Sequence, residues 1–180
     1  MVFAMKTEMK TDLAQQLVGF HLPRYSELPD MGLYIEQTAK YINQCLAPLG
    51  CLEVTGSMIR NYVKMGLVNN PAQKQYHADQ IAHLMAITIL KQVLPLEHIQ
   101  KMFAQQRLVY TDQVAYDYFC TELENILYFR FGVKDTVETV GDTDTVIKEM
   151  LRSAVVAVSH IIHLHACFSR LPEPADEQTT

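Results

Sequence analysis

The chain has 180 residues, of which 49% are hydrophobic and 19% are charged. This composition excludes an intrinsically disordered chain, and the length suits one compact domain or a small domain with a helical appendage. The net charge of −5 argues against a protein that coats nucleic acid nonspecifically.

The charges are unevenly distributed along the chain. Residues 55–107 carry six basic and two acidic side chains, whereas residues 1–54 carry four basic and six acidic ones. Residues 108–180 carry five basic and twelve acidic side chains. A basic middle segment beside an acidic end favours a DNA-contacting module joined to a part that avoids DNA, and chance clustering of solvated charges is the alternative.

The cysteine pattern and the apolar segments indicate where the protein resides. The four cysteines form no C-x-x-C pair: Cys45, Cys51, Cys120 and Cys167. Residues 1–12 do not resemble a signal peptide, and the longest nearly uncharged stretch, residues 153–169, contains three histidines and is short for a membrane span. We therefore expect a cytoplasmic protein with reduced thiols and no membrane partner.

Hydrophobic periodicity predicts a mainly α protein, which begins with a frayed or loosely docked helical leader over residues 1–20. Pro23 and Pro29 exclude a continuous helix through the next ten residues, because proline lacks an N–H donor and restricts the residue before it. Asp30 is the expected N-cap of a helix that continues to about Leu46 and is ended by the Pro and Gly that follow.

A shorter helix is predicted next, with Thr55 or Ser57 as its N-cap and Gly66 just beyond its end. Its apolar side chains fall on one face: Met58, Ile59, Tyr62 and Val63. The following segment, residues 67–76, has a polar turn at its centre and predicts a short hairpin or an extended wing.

Four further helices are predicted, over residues 78–93, 95–106, 112–131 and 143–169. Residues 132–144 are expected to form a turn or a short strand. Two carboxylates of the third of these helices, Glu122 and Glu124, are predicted to lie on a solvated face.

The polar face of the short helix indicates a function. A helix with an apolar back and a hydrogen-bonding front fits the major groove of DNA. Arg60 can fork onto guanine or phosphate, Asn61 can pair with adenine or phosphate, and Lys64 can supply a charge to the backbone. Gln73 and Lys74 of the wing can contact a neighbouring phosphate. The pattern alone leaves open the alternative that these side chains form an ordinary solvated face.

Residues 58–68, which read M-I-R-N-Y-V-K-M-G-L-V, resemble the MerR-family element I-R-x-Y-x-x-x-G-L-[LIV]. Five positions are in register: Ile59, Arg60, Tyr62, Gly66 and Leu67. Tyr76 corresponds to the tyrosine of the family's wing, and the similarity extends over residues 33–103. Together with the Pro-rich residues 22–30, it makes the chain similar to a bacterial domain-of-unknown-function family with a MerR-like core.

The resemblance implies a winged helix-turn-helix domain over residues 31–106, after a leader of residues 1–30. Residues 107–170 then form an all-helical C-terminal region for dimerisation or sensing, and residues 171–180 a disordered tail. The implied DNA-binding residues are Thr55, Ser57, Arg60, Asn61, Lys64, Gln73, Lys74 and Tyr76. The implied partners are double-stranded DNA, a second copy of the chain and an unknown small-molecule effector.

The chain departs from the MerR pattern in its wing. The usual pattern has an Arg that contacts phosphate, and here only Lys74 is close in sequence. The residue after Tyr76, where Ser or Thr commonly caps the next helix, is His77. These departures weaken the expectation of DNA contact without removing the expectation of the fold.

The last predicted helix contains a candidate metal-binding group. His160, His163 and Cys167 have helical spacing, and imidazole with thiolate can bind zinc or copper. The helix around them is apolar on nearly all sides, which favours a buried core or a subunit interface. We therefore predict no metal and no cofactor.

The sequence contains no enzyme motif such as a P-loop, H-E-x-x-H or G-x-S-x-G, so we predict a protein without catalytic activity. The leading hypothesis is a MerR-like transcriptional regulator that binds DNA. The alternative is a protein-interaction module that keeps the fold without binding DNA. The aromatic residues of the C-terminal half are expected to line an effector pocket or to build the core: Tyr110, Tyr116, Tyr118, Phe119, Tyr128, Phe129 and Phe131.

Overall fold

A computed structural model describes residues 2–141 and 145–172, and within these ranges it contains seven α-helices and one two-stranded sheet. The elements are α1 (Val2–Leu17), β1 (Leu33–Tyr34), α2 (Ile35–Leu46), α3 (Gly56–Lys64), β2 (Gln75–Tyr76), α4 (Ala78–Leu90), α5 (Leu96–Arg107), α6 (Asp112–Arg130) and α7 (Val146–Phe168). Single turns of 3₁₀-helix cover Tyr25–Glu27 and Ala47–Leu49. The prediction of a mainly α protein is confirmed.

Helix α4 lies at the centre of the fold. Every residue from 80 to 90 is buried, so the helix has no solvated face. Its one hydroxyl within this stretch, Thr88 Oγ1, donates to the Leu84 carbonyl at 2.7 Å and therefore needs no water. The buried apolar residues form one cluster from α1 to α7, to which residues on both sides of position 107 contribute.

The predicted first long helix begins later than expected. We expected it to start after Asp30, but residues 33–34 form β1 and α2 starts at Ile35. Strand β1 pairs antiparallel with β2, Leu33 opposite Tyr76. For residues 67–76 we predicted a short hairpin or an extended wing. The structure has a local antiparallel bridge between Ala72 and Gln75, and β2 forms its ladder with β1, some forty residues earlier in the chain.

Helix α1 is docked rather than loose. Leu13 and Leu17 are 5% and 0% exposed, and the helix packs against α6 and α7. At its C-terminal end Gln16 donates from Nε2 to the Pro48 carbonyl at 2.8 Å. The expectation of a frayed leader is wrong for this half of the helix, because its apolar side chains complete the core.

The segment between α1 and β1, here called the connector (residues 18–32), is tied to α6. Glu124 accepts the Leu22 N–H at 2.7 Å and hydrogen bonds from both terminal guanidinium nitrogens of Arg24, Nη1 and Nη2, at 2.8 and 2.6 Å. Asp117 accepts the Tyr25 N–H at 2.7 Å. The two Pro residues of the connector break the helix, and α6 supplies the acceptors that the helix would otherwise have provided.

The prediction that Glu122 and Glu124 face solvent is wrong. Their exposed fractions are 1% and 8%. Glu122 accepts from Tyr118 Oη at 2.9 Å and from Arg152 of α7 at 3.1 Å. A buried carboxylate requires a cation or several hydrogen-bond donors. Glu124 has Arg24 of the connector as its cation, and Glu122 has Arg152 of α7.

The segment after α6 is held without a strand. The side-chain amide of Asn125 donates to the Glu138 carbonyl, and its Oδ1 accepts the Glu138 N–H at 2.9 Å. We predicted a turn or a short strand for residues 132–144. Residues 132–141 contain no strand, so the turn is the correct alternative for that part. Residues 142–144, where α7 was predicted to begin, and residues 173–180 of the predicted disordered tail lie outside the described residues. Helix α7 is capped by the Thr145 hydroxyl, which accepts the Lys148 N–H at 3.3 Å.

We predict that Arg24→Ala lowers the free energy of unfolding by about 2–3 kcal/mol, because it leaves the Glu124 carboxylate buried without its cation. Urea titration followed by circular dichroism measures the change. Lys134→Ala is the matched control, since its ion pair with Glu138 is exposed and screened by solvent, so its loss should leave the free energy of unfolding nearly unchanged. Equal losses in the two variants would contradict the structural role of the buried pair.

Candidate functional site

Helix α3 is fixed at its start by local hydrogen bonds. Thr55 is its N-cap, and its hydroxyl accepts the Met58 N–H at 3.3 Å. Just before it, Asn43 of α2 accepts the Val54 N–H and donates to the Val54 carbonyl, both at 2.9 Å. Gly56 lies so close to α2 that an added Cβ would be 2.5 Å from Glu36 Oε1. These contacts set the position of α3 relative to α2.

The end of α3 has the hydrogen bonds of a Schellman motif. The Leu67 N–H donates to the Tyr62 carbonyl and the Gly66 N–H donates to the Val63 carbonyl, both at 3.0 Å. Gly66 has a φ of +75°, which a residue with a side chain adopts only at a cost. From α5, Gln100 donates to the Met65 carbonyl at 3.2 Å.

The two faces of α3 divide as the sequence predicts. Ile59 and Tyr62 are buried against the core, whereas Arg60, Asn61 and Lys64 are exposed. Ser57 is exposed at the helix start, and so is Thr55, although the Thr55 hydroxyl is engaged in the cap. Asn61 Nδ2 is 3.5 Å from the Met65 sulfur, a weak contact that leaves the amide available to another acceptor.

The segment predicted as a wing, residues 67–76 and called the wing below, contains a tight turn at the start of β2. The Gln75 N–H donates to the Ala72 carbonyl at 2.9 Å, and the two residues between them have left-handed backbones, with φ of +50° for Gln73 and +64° for Lys74. Both side chains are exposed. The turn resembles the two-residue type that joins antiparallel strands.

The wing is attached to α4 by side-chain hydrogen bonds. Gln80 of α4 donates from Nε2 to the carbonyls of Asn69 and Asn70, each at 3.1 Å. Burial raises the pKa of the Tyr76 hydroxyl, and the charge of the nearby Arg60 partly offsets this increase. Tyr76 is 4% exposed, so among the eight predicted site residues it is the one that lies in the core.

Three cations of the basic middle segment make neither an ion pair nor a side-chain hydrogen bond with any other described residue: Arg60, Lys64 and Lys74. These exposed cations without a partner are the ones that the sequence predicts for the site. Arg60 and Lys64 lie on α3, and Lys74 lies on the turn before β2.

The other three cations of the segment have structural partners. Lys101 pairs with Glu97 at 2.7 Å, which the i,i+4 spacing could have indicated. Lys91 donates to the Glu53 carbonyl at 3.2 Å, and burial lowers the pKa of its ammonium group. Arg107 contacts Asp112 at 3.5 Å. The contacts of Lys91 and Arg107 join residues that no regular sequence spacing relates, so the sequence does not predict them.

The candidate metal ligands of α7 do not converge. Cys167 Sγ is 3.7 Å from His163 Nδ1, but His160 Nε2 faces the Arg130 guanidinium at 2.5 Å instead. Partial burial and the charge of Arg130 lower the pKa of His163. Residues 2–141 and 145–172 contain no group of three or more His, Cys, Asp or Glu side chains that could hold a metal ion.

A small apolar cavity of about 60 Å³ lies between α4, α5, α6 and α7, and a second of about 100 Å³ lies beside it. His83 lines the first cavity: its Nδ1 bonds the Asp79 carbonyl at 2.7 Å and its Nε2 faces Arg107 at 3.0 Å. Burial lowers the pKa of His83, which favours the neutral ring. The aromatic residues of the C-terminal half were predicted to line a pocket or to build the core. Tyr116 and Phe119 do both, because they are buried in the core and line the first cavity.

The matching family model carries the description "Domain of unknown function (DUF1836)" and covers residues 23–121. This range is more than half of the chain, so the chain belongs to this family. The range includes the connector from Pro23 onward, α2, α3, the wing, α4, α5 and the first half of α6. No curated protein matches the chain, and no solved structure matches it either.

We predict that Gly66→Ala lowers the free energy of unfolding by about 1 kcal/mol, because the left-handed φ of +75° is unfavourable for alanine. Space does not limit this variant, since the nearest atom to an added Cβ is Gln100 Nε2 at 3.7 Å. Gly66→Asn is the control and should lose less, because asparagine tolerates this conformation better. Urea unfolding of both variants measures the difference, and an equal or absent loss would contradict it.

Proposed function

We propose that this protein is a bacterial, cytoplasmic, non-enzymatic DNA-binding regulator with a MerR-like winged helix-turn-helix. In this proposal α2 and α3 form the helix-turn-helix, and the turn before β2 is the wing. The observation that carries the proposal is the group of three exposed cations without ion pairs, Arg60, Lys64 and Lys74, on α3 and the adjacent wing turn. The similarity of residues 58–68 to the MerR element supports the same assignment.

The dimensions and chemistry of α3 suit the major groove. A helix fits this groove when its hydrogen-bonding side chains point outward, as Arg60, Asn61 and Lys64 do. Arg60 and Asn61 are the residues we assign to base edges or phosphates, and Lys64 is assigned to the backbone. Ser57 and Thr55 lie at the N-terminus of α3, where phosphates are commonly bound.

The wing adds contacts to the phosphate backbone in this proposal. Lys74 and Gln73 are exposed at the tip of a turn that two hydrogen bonds from Gln80 fix to α4. Because the wing is fixed, its contacts and those of α3 would share one orientation on the duplex. Tyr76 supports the wing from inside rather than touching DNA.

The negative net charge is compatible with DNA binding because the acidic residues are concentrated outside the segment that carries α3 and the turn before β2. Residues 108–180 carry twelve of the twenty acidic side chains, whereas residues 55–107 carry six basic and two acidic ones. The segment assigned to DNA is therefore positively charged although the whole chain is negative.

The proposal includes a homodimer and a small-molecule effector. One short helix gives limited affinity and specificity, and two half-sites double the contacts. The effector site would be the cavity beside His83, because α4 lines that cavity and also holds the wing through Gln80. A ligand that moved α4 would therefore move the wing.

We predict that the purified full chain selects duplex fragments from genomic DNA and that Arg60→Ala with Lys64→Ala weakens binding to them by about tenfold or more. Fluorescence anisotropy over a range of salt concentrations measures both affinity and salt dependence. The slope of log affinity against log salt should decrease by about 1 for each phosphate that the variant no longer binds.

Lys134→Ala is the matched control, because Lys134 lies after α6 and pairs with Glu138, and its affinity should equal that of the unmodified chain. Failure to enrich any fragment would remove the DNA-binding proposal and favour the protein-interaction module. Enrichment that the α3 variants leave unchanged would show that α3 is not the reading helix.

A further inference from the structure

His83 lies in the buried helix α4 with only 8% of its surface exposed, and a hydrogen bond fixes which of its ring nitrogens carries a hydrogen. Its Nδ1 is 2.7 Å from the Asp79 carbonyl oxygen. Because a carbonyl oxygen only accepts, Nδ1 is the donor in this bond. The neutral ring therefore presents the lone pair of Nε2 to its other neighbours.

Arg107, the last residue of α5, donates to this lone pair. Its Nη2 is 3.0 Å from His83 Nε2, and we call this contact the α5 latch because it ties the end of α5 to α4. A guanidinium group keeps its protons throughout the pH range in which proteins fold, so it can only donate. The α5 latch therefore requires that Nε2 carries no proton.

Asp112, the first residue of α6, lies where a protonated ring would need an acceptor. Its Oδ1 is 3.6 Å from His83 Nε2 and 3.5 Å from Arg107 Nε. This oxygen is buried, yet it accepts no hydrogen bond from any residue of the described ranges. A buried acceptor in this state is unfavourable. A movement of about 0.8 Å would bring Oδ1 within hydrogen-bond distance of Nε2.

The groups around His83 act on the ring in opposite directions. Burial lowers its pKa most strongly, the Asp79 carbonyl and the Asp112 charge partly offset this decrease, and the Arg107 charge lowers the pKa further. Burial and the charges of the same two carboxylates raise the pKa of Tyr25, so this hydroxyl of the connector is also close to them. The α7 residues that line the cavity beside the ring are apolar: Ile147 and Leu151. At Nε2 itself, one cation and one carboxylate compete.

We propose that protonation of His83 replaces the contact of Nε2 with Arg107 by a contact with Asp112 and thereby opens the α5 latch. The proton comes from solvent and binds Nε2, which then donates to Asp112 Oδ1. Two cations cannot share the space that the latch occupies, and the Arg107 side chain, 42% exposed, can turn into solvent. The proposal goes beyond DNA binding and does not depend on it.

Opening of the latch would be felt beyond α5. Gln100 of the same helix donates to the Met65 carbonyl at the end of α3, at 3.2 Å. Helix α5 thus lies between the buried ring on α4 and the helix that carries the exposed cations. A proton on His83 would loosen α5 at its C-terminal end and so weaken the support of α3.

The pKa of His83 also sets how stability depends on pH. In an unfolded chain the pKa of histidine is about 6.5, and burial lowers it in the folded chain. The neutral ring therefore contributes its full stabilisation above about pH 6.5. As the pH falls from there toward the folded-state pKa, the unfolded chain binds the proton first and the free energy of unfolding decreases.

The competition at Nε2 is tested by NMR titration of the seven histidine rings in the full chain, with His83 assigned from the spectrum of His83→Gln. Arg107→Met should raise the pKa of His83 and Asp112→Asn should lower it, each by half a unit or more, which is about a threefold change in proton affinity. Lys101→Met on the same helix is the matched control and should leave this pKa unchanged, because its ion pair with Glu97 is exposed. Shifts in the same direction, or a ring that stays neutral until the chain unfolds, would overturn the proposal.

Opening of the latch is tested by hydrogen exchange of the amides of residues 104–107, corrected for the intrinsic effect of pH on exchange. In the unmodified chain these amides should exchange about tenfold faster below the pKa of His83 than above it. Arg107→Met has no latch at either pH, so its exchange should be fast at both. Unchanged exchange in the unmodified chain across the titration would show that α5 stays in place and would overturn the proposal. Neither measurement uses DNA, so its failure is distinct from the failure of DNA binding.

Discussion

The absence of a solvent-exposed face on α4 is the constraint around which the other elements are arranged. A helix buried on all sides must be covered on all sides, and α2, α5, α6 and α7 provide that cover. Its N-terminal end holds the wing through Gln80, and its middle lines the cavity beside His83. A change in the position of α4 would therefore reach the wing and the cavity together.

Buried carboxylates connect the rest of the fold to this centre. Glu124 holds the connector through Arg24 and the Leu22 N–H, and Glu122 holds α7 through Arg152. Both carboxylates lie in the middle of α6, so this one helix holds the connector on one side of the sequence and α7 on the other. The family match from residue 23 to residue 121 begins in the connector and ends beside these carboxylates, which fits a unit in which connector and α6 belong together.

The sequence by itself determined the elements whose signals are local: the helix capped by Thr55 and ended by Gly66, the break at the connector prolines, and the outward cations of α3. It predicted a solvated face for Glu122 and Glu124, which is wrong, and it did not indicate that β2 pairs with β1. Those features depend on residues far apart in the chain, Arg24 with Glu124 and Leu33 with Tyr76, and no periodicity encodes such pairs. Only the tertiary structure decided them, because burial of a charge and pairing of a strand are set by what the fold brings into contact.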